Sequence, residues 1–153
     1  MTLDLPFIFL ALMALSILAY VILDGFDLGV GILLPLATGE QQNLMVASIG
    51  PFWDANETWL VLGVGILLVA FPLAHGIVLS SLYLEVALML PALILRGVAF
   101  EMRLKALGWH RRIWNRLFVV GSFGAALAQG MMLAGVITGF KAGAAFVAFE
   151  LLV

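Results

Sequence analysis

The sequence predicts an all-α protein, a polytopic transmembrane helical bundle of about four spans, and three observations carry that prediction. Of the 153 residues, 65% are hydrophobic and only 10% are charged, with a mean hydropathy of +1.21. A soluble domain carries about 25% charged residues to cover its surface, so in water this chain would expose apolar patches large enough to aggregate. Four stretches approach the roughly 20 apolar residues with which a helix crosses a hydrocarbon core about 30 Å thick. Strand-like alternation is absent, and backbone amides in lipid must be paired inside the segment, so helices are the form these stretches take.

The first stretch covers residues 5–35. It has no basic leader and no small-residue cleavage site after its long apolar run, so it reads as a permanent span rather than a signal peptide. A linker near residues 38–52 follows, with Gly39, Glu40, Gln41, Gln42 and Asn43 as a polar turn. The second span is expected over 53–74, the third over 76–95 with Glu85 as its only charge before Arg96, and the fourth over 117–140 with no charge. All 153 residues are read as a single integral membrane domain. The 12 residues after Lys141 are too few to cross a bilayer, so the chain is expected to be the first half of a longer, two-repeat subunit.

Arg96, Arg103, Lys105, Arg111, Arg112 and Arg116 all fall between the third and fourth spans. The positive-inside rule puts that connection in the cytoplasm and, counting back, the N-terminus outside. Gly25 with Gly29, and Gly135 with Gly139, recur at the spacing that lets helix backbones approach closely, which is ordinary membrane packing. The net charge of −2 points to no nucleic acid, and the absence of cysteine excludes disulfides, thiolate metal sites and cysteine nucleophiles.

The acids are the informative residues. Asp24 and Asp27 stand in DGFDLGVG at the end of the first span, and Asp54 and Glu57 in IGPFWDANETW at the start of the second. Each pair is spaced i, i+3, so both carboxylates of a pair share a helix face. An intramembrane acid costs about 2.5–3.5 kcal/mol to insert and so needs a partner or a purpose, of which proton transfer is one. Asp54 also fits as a helix cap after Pro51. Glu85, near the middle of the third span, shares a face with Arg96 at its end, which suggests a structural ion pair. Trp59 lies deeper than the other tryptophans, either lining a passage or packing in the core.

The segments YVILDGFDLGVGILLP, IGPFWDANETWLVLG and LILRGVAFEMR, in this order and at this spacing, closely resemble subunit II of cytochrome bd ubiquinol oxidases. The likeness covers residues 5–140. The resemblance implies a haem-free subunit II of a bacterial quinol:oxygen oxidoreductase, multi-pass in the inner (cytoplasmic) membrane. It implies a heterodimer with a haem-bearing subunit I, which holds haems b and d, oxidises quinol and reduces oxygen to water. It further implies that Asp54 belongs to the cytoplasmic proton path and that Trp59 lines an oxygen route. Asp24, Asp27, Glu57 and Arg96 fall on characteristic family positions. No catalytic or metal-ligating residue is expected in this chain, and no cofactor bound by it alone. His75 and His110 read as interfacial or solvated residues rather than as the axial pair of a haem.

Two other functions fit the residues alone. Acids within helices also serve cation transporters and channels, and they also act as polar glue in a purely structural assembly subunit.

Overall fold

The computed structural model describes residues 4–139. Among them there is no strand, and four helices are long and apolar enough to cross a membrane. The elements are α1 (Leu5–Leu33), extended by a 3-10 turn (Leu34–Leu36), α2 (Gly39–Ile49), α3 (Trp53–Ala70), α4 (Pro72–Ser81), α5 (Tyr83–Lys105) and α6 (Gly108–Ile137). The described residues divide into two compact units, one running to residue 76 and the other starting at residue 77.

In the first unit α1 begins at Leu5 and carries Pro6 in its first turn, where the missing N–H costs nothing. Its end passes into α2 through side-chain bonds. Gln41 Oε1 accepts from the backbone N–H of Thr38 at 2.8 Å and from its hydroxyl at 3.0 Å, and Gln42 Nε2 donates to the Leu34 and Ala37 carbonyls. The expected polar turn at 39–43 is therefore the first turn of a helix, set by a Thr-x-x-Gln capping arrangement. Pro51 separates α2 from α3. Phe71, held at φ −134° by the following Pro72, ends α3 at Ala70, short of the expected 74.

α1 and α3 pack along their length. A methyl group built on Gly63 would lie 2.7 Å from Ile17 Cδ1 and 3.7 Å from Ser16 Cβ. The helices thus touch closely where one of them lacks a side chain, the kind of contact that holds helices together in a solvent as apolar as their surfaces.

The second unit is built on α5 and α6. Met89, Leu93, Arg96, Ala99, Phe100 and Arg103 form the buried face of α5, and Phe118, Gly121, Ser122, Ala125 and Ala128 that of α6. The Phe100 and Phe118 rings meet at 6.0 Å. A methyl group on Gly121 would fall 2.7 Å from the Arg96 nitrogen and 2.8 Å from the Ala92 oxygen.

The helix ends differ from the expected span bounds here. α5 starts at Tyr83 and continues through the basic segment to Lys105, where the third span was expected to close at 95. α6 starts at Gly108 rather than at 117. Lys and Arg are good helix formers whose stems lie along apolar surface, so a helix does not stop where its apolar run does. The basic connection shrinks to Ala106 and Leu107, followed by Gly108 at φ +59°. The expected end of the fourth span at 140, and Lys141 with the segment after it, lie outside the described residues.

Candidate functional site

Every buried polar side chain of α1 lies on one face. Ser16, Tyr20, Asp24 and Asp27 are all buried, Asp24 being 0% and Asp27 2% exposed. Their spacing of four, four and three residues keeps them in register with the helical repeat, so they form one line toward α3. Around them α1 is apolar, and Phe7, Val21, Ile22 and Phe26 point away from the chain's own core. At the Ser16 end the hydroxyl donates to the Leu12 carbonyl at 2.8 Å. At the other end Asn56 Nδ2, from the first turns of α3, donates to Asp27 Oδ2 at 2.8 Å.

The WDANETW segment is split by its own helical geometry. Asn56 faces α1, and residue 54 stands two positions away, about 200° around the helix. Asp54 is accordingly exposed, while Glu57 and Trp59 are half-buried. Asp54 does not occupy the cap position, which belongs to Phe52; it sits inside the first turn, where a carboxylate faces the positive end of the helix dipole. The structure therefore brings Asp24 and Asp27 together in the α1–α3 seam and turns Asp54 outward from it.

Three residues of this seam were not expected from the sequence. Ser16 and Tyr20 were visible as a polar series stepping back from Asp24 by helical turns. Asn56 was visible only as a neutral residue inside an acidic motif, and nothing in its type said which face of α3 it would occupy.

In the second unit, Glu85 sits in the first turn of α5 and not near its middle, and Arg96 lies well inside the helix, 1% exposed, rather than closing it. The two share a face, but eleven residues at a rise of 1.5 Å set them about 16 Å apart along the axis, too far for direct contact between the two side chains. Arg103, also buried, donates through Nε to Asn115 Oδ1 across the α5–α6 hairpin. His110 is exposed and packs on Trp109 at 4.7 Å, and His75 is half-buried on α4. Neither unit holds a facing pair of histidines, so the donors of a bis-histidine haem do not fit within either. Among the described residues, no group of three or more His, Asp or Glu side chains is placed to hold a metal ion.

Comparison with known proteins adds a family match and curated relatives. The family described as cytochrome bd terminal oxidase subunit II matches residues 5–153. The chain is 40% identical over 115 residues to a cytochrome bd ubiquinol oxidase subunit 2 of Bacillus subtilis, covering 72% of this chain and 34% of that protein. It is 32% identical over 139 residues to a cytochrome bd-I ubiquinol oxidase subunit 2 of Escherichia coli K12, covering 88% and 36%. A probable cytochrome oxidase subunit 2 of Haemophilus influenzae matches with the same identity and coverage. The chain spans about a third of the length of these relatives.

Proposed function

Since the chain belongs to the cytochrome bd terminal oxidase subunit II family, we propose that it acts as the haem-free subunit II of a quinol:oxygen oxidoreductase in the bacterial inner membrane. Its role there is to support a haem-bearing subunit I and to carry part of the cytoplasmic proton path. The observation that supports this most is the buried Asp24–Asp27 pair in the α1–α3 seam, tied to the WDANETW motif by Asn56. Two acids buried inside a helix pair that is otherwise apolar outside carry an insertion cost that a purpose must offset.

In this reading Asp54, on the outward face of α3, collects protons at the cytoplasmic end, with Glu57 beside it, and Asp24 and Asp27 hold them within the seam. Trp59, half-buried one helical turn further on, borders the oxygen route. Glu85 and Arg96 balance charge along one face of α5 without touching. The haems b and d of the partner supply the electron transfer and oxygen reduction when the complex is assembled, with quinol as the reductant. The N-terminus lies outside, as the basic residues on either side of Ala106 and Leu107 favour.

The test is co-purification from membranes with the haem-bearing partner, read by a reduced-minus-oxidised spectrum and by quinol-driven oxygen uptake. Haem bands and uptake are expected in the complex, and neither in the isolated chain. Within the complex Asp54→Asn is expected to slow uptake per haem at least tenfold; unchanged turnover removes Asp54 from the path.

The Asn56–Asp27 bond also favours a second reading, in which the acids are polar glue between helices. Then Asp24→Asn with Asp27→Asn lowers the yield of complex but leaves turnover per assembled complex as it was.

A further inference from the structure

We infer that Asn56 is a positioning residue for Asp27, holding its carboxylate in place for the proton-handling role on which this inference rests. The contact joins residues 29 positions apart in sequence, Nδ2 to Oδ2 at 2.8 Å, on two different helices. Both ends of it are anchored. The Asn56 backbone N–H donates to the Phe52 carbonyl at 2.9 Å, which fixes the first turn of α3. Two turns further along, Gly63 lies against Ser16 and Ile17, so the separation of α1 and α3 is set by packing and not by the reach of a side chain. Asn56 has only two side-chain torsions, and a group on two packed helices is held more closely than one on a loop.

The residue type matters as much as the position. A carboxamide donates to a carboxylate but takes up no proton of its own in the physiological range. A carboxyl at 56 would share a proton with Asp27, and a lysine would bind it as a fixed ion pair. Asparagine orients Asp27 and leaves it the titrating group of the pair. Asp54 is turned to the far side of the same helix, so one turn of α3 presents a proton-binding group outward and a proton-inert one inward.

Two measurements test this. In the first, the purified chain is studied by infrared difference spectroscopy, with Asp27→Asn used to isolate the carboxyl band of Asp27. Asn56→Ala is expected to displace that band; a band left unmoved overturns the inference. This arm needs no oxidase activity, so it stands or falls separately from the proposed function. In the second, oxygen uptake per haem of the assembled complex is compared across a double-mutant cycle. Asn56→Ala is expected to lower turnover about tenfold, the worth of one hydrogen bond to a charged group, and to have no further effect in the Asp27→Asn background. Equal losses in both backgrounds mean that Asn56 serves packing alone and overturn the inference. Should Asn56→Ala fail to accumulate, Asn56→Gln keeps the amide but displaces it by one methylene. It is expected to shift the Asp27 band, and an unmoved band there overturns the inference equally.

Discussion

At Gly121 an added methyl group meets the Arg96 nitrogen and the Ala92 oxygen, backbone atoms that cannot turn aside. Gly121→Ala must therefore push α5 and α6 apart, and overpacking of this kind costs about 1–3 kcal/mol. Gly63→Ala meets chiefly the Cδ1 tip of Ile17, a side chain 39% exposed that can rotate away, so its cost is expected to be smaller. Gly25 and Gly29 face open space within this chain. Unfolding midpoints of the purified chain in detergent should fall in that order, with Gly25→Ala and Gly29→Ala close to the parent; a Gly121→Ala midpoint equal to the parent would contradict the packing described. Sequence spacing had singled out Gly25 with Gly29 and Gly135 with Gly139. Of these Gly135 does meet Leu82 Cδ2, and Gly139 takes φ +75° beyond the end of α6. Spacing finds glycines that share a face, but only packing decides which face is used, and so the tight contacts at 63 and 121 are not legible from it. The same reason hid Asn56 while leaving Asp24 and Asp27 plain: a buried acid is conspicuous by its cost, a buried amide is not.

The helices themselves were largely legible. The apolar stretch 5–35 folds as α1 with its 3-10 extension, and WDANETW opens α3. Apart from the early end of α3 at Pro72, helix and expected span differ where polarity and helicity part company. α2 is helical although polar, because Thr38 and Gln41 cap it. α5 and α6 continue through six basic residues: Lys105, Arg112 and Arg116 reach out from the helix ends while their backbone stays hydrogen-bonded, and Arg96 and Arg103 are buried between the two helices. Arg103 and Lys105 in the last turn of α5 also face the negative end of its dipole. The hairpin then depends on a tight connection, and Gly108 holds its left-handed conformation at φ +59°. Gly108→Ala is expected to cost about 1–2 kcal/mol, seen as a lower unfolding midpoint with unchanged helix content by circular dichroism. A midpoint above the parent value would show that the turn relaxes without strain.

For the chain as a whole, the arrangement makes a topological prediction that does not depend on which side the N-terminus occupies. Glu40 precedes α3 and Leu107 follows α5, two helices long and apolar enough to cross a membrane, so a crossing by each returns the chain to the side it left and predicts both positions on one side. The chain contains no cysteine, so Glu40→Cys and Leu107→Cys, made singly, give labelling free of background. An impermeant maleimide should reach both from the same face, which in the proposed orientation is the cytoplasmic one. Labelling from opposite faces would remove one of the two crossings. Labelling of both from outside would keep the crossings and reverse the orientation. A last consequence follows from the way α3 divides its own motif. Positions 56 and 63 answer to α1, whereas 54 answers to nothing within the described chain. In a library of functional variants, substitutions at 56 should be tolerated in combinations with those at 27, as two halves of one local agreement. Those at 54 should ignore α1 altogether and keep step with residues elsewhere in the assembly. What looks like one uninterrupted word in the sequence is thus addressed to two readers, and its letters are free to change only with the reader each one serves.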